Sequence, residues 1–560
     1  MMEVGINTCK ISLWKTRTER LLGMKLRYPD HFSVFCESRA FETSERTAAF
    51  DDVKSDICTT NAKTLCISLV AKETAVKYLK VRWNFTEKEK RTDVIKVYGD
   101  VWERSYGDIE WRGIVPDRYM PWVCAVSNGS DREINTSGRF TECFGVKTCP
   151  AAMCFWQYDA NGITLWLDVR CGGEGVILNG RTIDVCEIVF DEYRDTSAFS
   201  ALKKYYSLLC DAPLKTDHKI YGNNDWYYAY GQISHSAVIR DTELLADLCR
   251  ENAEKPYMVI DAGWEKNHLS APWGEFREGK FYDMQELASE IAAKGVRPGI
   301  WIRPLRDSRY TVFPEGAPQR CAKDGKNLDP SHPDTLAYIK NTVSMLCGWG
   351  YKLIKHDFST FDAIGYWGFE RKAELADDGW HFYDRSKTTA EIFVGLNKAI
   401  YEATKGKAVI LGCNVIGHLA AGMLHINRTG DDTSGKEWEK VRKYGINTLA
   451  FRMLHHRAFY ESDVDCIGIT GLIDWRLNRQ WLDAVAHSGA PMFVSPDPDV
   501  INETEKADLR ISYKVNSIQE DELIPLDWME NVCPEKWLLN GKPITYDWYP
   551  KSGTESFVVK

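Results

Sequence analysis

At 560 residues, the chain is too long for one compact core and divides into two or three domains. Its 44% hydrophobic and 27% charged residues are those of a globular protein. A net charge of -9 and a pI near 5.8 exclude nucleic acid as partner, because a phosphate backbone needs a basic surface.

No apolar run reaches membrane-spanning length, so no membrane partner is expected. Twenty Trp and 26 Tyr fit two readings equally: rings that pack on sugar faces, or the ordinary filling of large β-rich cores. The 17 Cys have no CxxC or zinc-ligand spacing. Met1–Lys10 lacks the apolar stretch of a signal peptide, so a cytoplasmic protein with reduced thiols is expected. Asn84, Asn128, Asn135, Asn427 and Asn502 begin glycosylation triplets of a kind common by chance.

In chain order, residues 1–214 read as a β-sandwich domain. Short alternating runs begin at Thr64, Ile163 and Val185, separated by Gly, Asp and Asn turns. The stretch 191–214 reads as a helical linker. From Lys219 the pattern becomes strand then helix. Strands are predicted at 219–225, 257–263, 298–304, 352–358, 408–413, 424–429, 463–469 and 491–495. Helices are predicted at 241–252, 284–294, 334–349, 388–404, 437–451 and 474–487, several stopping at Gly. Eight such units over 215–500 match a (β/α)8 TIM barrel. A doubly wound sheet needs a glycine-rich turn after its first strand, and Asn223-Asn224-Asp225-Trp226 cannot make one. Alternation at Leu509–Val515 and Ser556–Lys560 predicts a small C-terminal β-domain over 501–560.

Catalytic groups of such a barrel sit at the C-terminal strand ends. Six of the eight ends carry an acid, and about half of these acids read as helix caps. Lys355-His356-Asp357 closes the fourth strand, and alternation aims Lys355 and Asp357 to one side. A cation beside a carboxylate keeps it ionised, as a nucleophile requires; a buried salt bridge is the plainer reading. At the sixth strand, Arg428-Thr429-Gly430-Asp431-Asp432 places two acids side by side. Mutual repulsion would keep one protonated and able to donate, although Asp432 or Thr433 could instead cap the next helix. Carboxyl separations of about 5–5.5 Å define retaining glycosidases and about 6.5–9.5 Å inverting ones. Asp261-Ala262-Gly263-Trp264 ends the second strand as a carboxylate-and-ring sugar grip. Asp225 and Trp226 end the first. Cys413 ends the fifth without a partner His and reads as pocket lining. No HExxH or GxSxG motif is present, and His356, His418 and His425 are scattered, so neither a metal nor another cofactor is expected.

These strand-end motifs resemble family 36 glycoside hydrolases, the retaining α-galactosidases, over about residues 215–500. The K-x-D of that family is similar to Lys355-His356-Asp357, which implies Asp357 as nucleophile. Its S-D-D segment resembles Gly430-Asp431-Asp432, which implies Asp431 as acid/base with Asp432 as the rival. Cys413–Gly417 is similar to its C-x-x-G with one residue more, and Leu328–Pro333 to the approach to the helix before strand four. Glu461–Asp465 is reminiscent of a D-W-D segment in the plant-type branch. The resemblance places Trp301, Arg303, Arg428, Cys413 and Gly417 among the substrate-lining residues. Two departures alter the sugar grip: Ala262 stands where the family has a second Asp, and Arg303 where it has a Glu, with an ion pair to a nearby Asp as Arg303's plainer role. The expected activity is hydrolysis of terminal α-galactosides. The alternatives are an α-N-acetylgalactosaminidase, for which small residues near Cys413 and Gly417 leave room, a raffinose-synthase-like transglycosylase, or a non-catalytic sugar-binding protein. A homo-oligomer is compatible with each.

Overall fold

The computed structural model describes residues 27–87, 89–90, 95–128, 136–307, 327–518 and 521–554. Met1–Lys10, Asn135 and the strand expected at Ser556–Lys560 lie outside the described residues.

Residues up to Arg194 build two antiparallel sheets, of six and eight strands. Thr64–Val70, Gly162–Asp168 and Thr182–Arg194 are strands. Alternation turns one face of each inward. Trp83 and Trp156 of the six-stranded sheet meet Phe144 and Phe190 of the other at ring separations of 5.4–6.2 Å. Many of the tryptophans therefore fill cores, as large rings with little polar surface do. The helix expected from 191 begins later. Asp191–Arg194 continues a strand paired with Phe140–Cys143, and the helix is Ala198–Tyr206, capped by the Ser197 side chain.

Parallel strands separated by helices follow: β1 (Tyr221–Asn224), β2 (Tyr257–Ile260), β3 (Arg297–Ile302), β4 (Leu353–His356), β5 (Val409–Gly412), β6 (Ile426–Arg428), β7 (Glu461–Asp463), β8 (Ile467–Ile469) and β9 (Met492–Pro496). They form one parallel sheet in the order β7-β6-β5-β4-β3-β2-β1-β9-β8. The strand expected at 463–469 is thus two. β7 pairs with β6 and β8 with β9, and Asp465 between them takes a left-handed φ of 80°. The two outermost strands are consecutive in the chain.

The intervening helices start where side chains satisfy their first N–H groups. Ser234 caps His235–Leu248, Asp283 caps Met284–Ala293, and Asp474 caps Trp475–Ala486. Thr388 and Glu391 form a reciprocal capping box on Thr389–Thr404. The segment expected as a helix from 437 contains a π-helical stretch, Val441–Ile446, between two short α-helical pieces.

The C-terminal expectation is corrected in part. Leu509–Val515 lies in a helix, Glu503–Ile518, which packs on Trp475–Ala486, His235–Leu248 and β1. Leu509, Ser512, Tyr513 and Asn516 are its buried face, while Ile511 is exposed. After it comes a three-stranded antiparallel sheet of Leu523–Pro525, Lys536–Leu539 and Lys542–Thr545. Among the described residues no helix is long and apolar enough to cross a membrane.

Candidate active site

The C-terminal ends of the parallel strands open on a pocket lined by charged and aromatic side chains. Of the residues expected there it brings together Trp226, Asp261, Trp301, Lys355, Asp357, Cys413, Arg428 and Asp432.

Asp357 follows β4 directly, and its N–H donates to Ile302 O of β3 at 3.0 Å. Its carboxylate is held from two sides. The Phe358 N–H donates to Oδ1 at 2.7 Å and the Trp301 indole N–H to Oδ2 at 3.3 Å. Phe358 itself adopts a left-handed φ of 59°, which costs a bulky residue about 1–2 kcal/mol. Such strain persists where surrounding structure enforces it, often at functional sites. Phe358 also lines the pocket.

Lys355 faces the pocket, but its partner is Asp261 rather than Asp357. Lys355 Nζ lies 2.6 Å from Asp261 Oδ2, with both side chains nearly inaccessible. The Asn224 amide donates to the same oxygen at 2.7 Å, and the Ala262 N–H to Oδ1 at 2.9 Å. Asp261 is therefore a fixed anion whose charge is matched by Lys355. Asp225 lies behind it and accepts the Asp261 N–H at 2.9 Å. Burial, reinforced by the Asp261 charge, holds the Asp225 carboxyl well above the usual carboxylate range. It supports the second strand end and lies outside the pocket lining.

The sixth strand end carries a denser network. Arg428, almost fully buried, reaches Asp465 at 2.6 Å and Asp432 at 2.9 Å through Nη2, and Cys413 Sγ at 3.8 Å through Nη1. Asp465 also accepts from the Thr433 N–H and hydroxyl at 2.7 and 2.8 Å, and from the Tyr227 hydroxyl. Asp432 lines the pocket; Asp431 lies beside it, outside the lining. Both acids contact Arg104, from a loop of the antiparallel region, at 3.2 Å (Asp431) and 3.3 Å (Asp432). Burial raises the Asp431 carboxyl above its ordinary value, with Asp432 adding to the effect and Arg104 opposing it. Asp432 is open to the pocket, its side chain 56% exposed; the protein packed around it works against ionisation, but Arg428, then Arg104 and Lys355, outweigh this and hold the carboxyl low. The proton affinities of two neighbouring acids are thus pushed in opposite directions, as the separation of a proton donor from an anion requires.

Three other expected residues lie behind the pocket. Trp264 is fully buried and its indole donates to Trp301 O at 2.9 Å, bracing the second strand end against the third. At Gly417 an added Cβ would run into the Tyr460 hydroxyl and the Asn427 amide, so close packing explains the glycine. Arg303 is bidentate to Asp362 at 2.8 and 2.5 Å and lies 4.1 Å from the centre of the Phe358 ring. Its charge is matched outside the pocket, where it supports Phe358. Removing one member of a buried pair leaves the other uncompensated. Arg303→Met is therefore expected to lower stability by about 3 kcal/mol. Adding Asp362→Asn should recover part of the loss in denaturant unfolding, and an equal loss in the double variant would count against the pair.

The histidines play packing roles. His356 is pushed down to about 4 by burial, with Nδ1 3.0 Å from Ser359 Oγ. His418, pushed down to about 3, stacks on Trp122 at 4.5 Å. Among the described residues no cluster of three or more His, Cys, Asp or Glu is arranged to hold a metal ion. Sequence reasoning missed Arg104, Phe358, Tyr227 and the pocket-facing role of Asp465. Asp465 had a signal, its place beside Asp463 at a strand end, but Arg104 lies on a loop more than 300 residues from the acids it touches.

Parallel strands with interposed helices, antiparallel sheets before them, and carboxylates gathered at the strand ends define the class of fold and site. No family model matches the sequence. Solved structures do share the fold. An α-galactosidase from Thermus thermophilus, in complex with p-nitrophenyl α-D-galactopyranoside, is 16% identical, with 88% of this chain and 97% of that chain covered and a TM-score of 0.57. The family 36 α-galactosidase AgaA from Geobacillus stearothermophilus is 12% identical over 92% of this chain and 77% of its own, TM-score 0.57. AgaB from the same organism is 13% identical over 89% and 74%, TM-score 0.55.

Proposed function

We propose that the chain is a retaining exo-glycoside hydrolase for terminal α-galactosides, in which the parallel strands act as a (β/α)8 barrel. An N-terminal β-sandwich over 1–214 would precede the barrel of 215–500, and residues 501–560 would close the chain with the helix and small sheet at its end. The observation that carries the reading is the pocket itself. One carboxylate, Asp357, is held by two N–H donors at a strand end, and a second acidic group of raised proton affinity, Asp431, sits at its margin. In this reading Asp357 attacks the anomeric carbon as Asp431 protonates the departing oxygen. The galactosyl ester on Asp357 is then hydrolysed by a water that Asp431 deprotonates. A proton donor belongs on the leaving-group side, which fits its position outside the lining. Asp261, Lys355, Asp432 and Arg428 would bind sugar hydroxyls, and Trp226 and Trp301 would offer apolar faces. The described cysteines other than Cys58 are unbridged thiols, most of them buried, which supports a reducing, cytoplasmic setting.

The test is a screen of nitrophenyl α-glycosides with galactose, N-acetylgalactosamine and glucose as glycone. Turnover of the α-galactoside above the others supports the reading. Preference for the N-acetylgalactosaminide would move the assignment to that sugar, and sugar binding without turnover of any substrate would favour a non-catalytic protein. An added sugar acceptor reports transglycosylation by product analysis.

A further inference from the structure

Arg104 belongs to the region of antiparallel sheets, yet its side chain is only 5% exposed and ends between Asp431 and Asp432. Backbone pairing places it there. The Ser105 N–H donates to Thr429 O at 2.9 Å, and the Asp431 N–H donates to Ser105 O at 2.8 Å. Ser105 is thus zipped to the residues that follow β6, and Arg104 and Tyr106 flank it. The Ser105 hydroxyl donates to Asn447 Oδ1 at 2.7 Å, which fixes the loop from a third side. At Gly430, the centre of this pairing, a Cβ would run into Thr448, so the close approach requires glycine. The Arg104 guanidinium lies 5.7 Å from the ring centres of both Tyr106 and Trp367, and Glu103 is 3.3 Å from its Nε.

We propose that Arg104 is a positioning residue of the active site, bridging Asp431 and Asp432 from outside the barrel and setting how readily Asp431 gives up its proton. The proposal rests on the reading of Asp431 as acid/base. Arg104 is shared almost evenly, at 3.2 and 3.3 Å, whereas Arg428 touches Asp432 and not Asp431 within ion-pair distance. Arg428 therefore favours charge on Asp432 over Asp431, while Arg104 favours the charged form of both and so eases proton release from Asp431. The groups facing Asp431 are Arg104 and Tyr106 from the loop, Asp432 and Arg428 from the sixth strand end, and Tyr444 from the π-helical stretch. Of these only Arg104 is lost in the variants below.

A general acid works while protonated, so activity falls as pH rises through its pKa. Removing a nearby cation raises that pKa. In Arg104→Met the alkaline limb of kcat/KM against pH is expected to move up by about one pH unit. Arg104→Lys, which keeps the charge, should stay near the wild type. Arg104→Gln serves as a second neutral variant should the Met variant not fold, with thermal unfolding as the check on each. A loss that is equal at every pH, or an unmoved limb, overturns the proposal. Should the wild type turn over no α-galactoside, the functional reading falls by itself. The Asp431 titration, followed by ¹³C NMR of aspartate-labelled protein and assigned with Asp431→Asn, then decides Arg104 alone. An upward shift on loss of Arg104 supports the bridge, and an unchanged titration overturns it.

Discussion

Asp357→Asn is expected to lower turnover of a nitrophenyl α-galactoside by about 10⁴-fold or more, because in the proposed reading Asp357 is the group that forms the glycosyl ester. The substitution is nearly isosteric. The Phe358 N–H, the closer of the two donors that hold the carboxylate, can still donate to the Asn carbonyl oxygen, and only the longer Trp301 contact is given up, so the fold and sugar binding should persist. Thermal unfolding and calorimetry with galactose check both. Small external nucleophiles give a sharper signature. With Asp357→Gly, azide fills the vacated space and attacks the anomeric carbon directly, and the product is the inverted galactosyl azide. Substantial activity retained by Asp357→Asn would place the nucleophile elsewhere.

The second large effect separates Asp431 from Asp432. Asp431→Asn should lose about 10²- to 10⁴-fold, with larger losses on alkyl or sugar leaving groups than on nitrophenol, which departs without a proton. Its alkaline limb should vanish, since the group that must remain protonated is gone. Azide should restore turnover and yield the retained galactosyl azide. Asp432→Asn should act mainly through KM, because this acid lines the pocket and is held ionised by Arg428, Arg104 and Lys355. The alkaline limb should remain in that variant. An exchange of these two patterns would make Asp432 the acid/base.

Much of the strand-and-helix order was legible because the chain changes period at Tyr221, from alternation to apolar strands separated by amphipathic helices. The strand ends were legible for the same reason. Asp261, Lys355, Asp357 and Asp432 follow short buried runs, and all four line one pocket. What could not be read was the pairing of charges. Adjacency suggested Lys355 for Asp357, but β4 points Lys355 toward β2, where Asp261 receives it. Arg303 sat at a strand end like the others, and only the short helix after β4, Ser359–Ile364, reveals Asp362 as its partner.

Other differences arise from patterns that fit two periods. In Leu509–Val515 alternate residues are apolar, yet Leu509 and Tyr513 are also four apart, and the chain takes the helix. At 463–469 one strand was expected, but a left-handed residue at Asp465 breaks it and lets its halves pair with different neighbours. Arg104 left no trace, since its role depends on a loop meeting β6 across the fold. Ala262 was visible as a departure, and its side chain does line the pocket.

The most direct test of the central claim is covalent trapping. A galactosyl donor with fluorine at C2 and a good leaving group slows both steps but the second more, so the ester accumulates. Incubation followed by proteolysis and mass spectrometry should give one peptide heavier by a fluorogalactosyl group, with the modification on Asp357. A label on Asp431 or another residue, or undiminished turnover of the α-galactoside with no ester formed, would contradict the account.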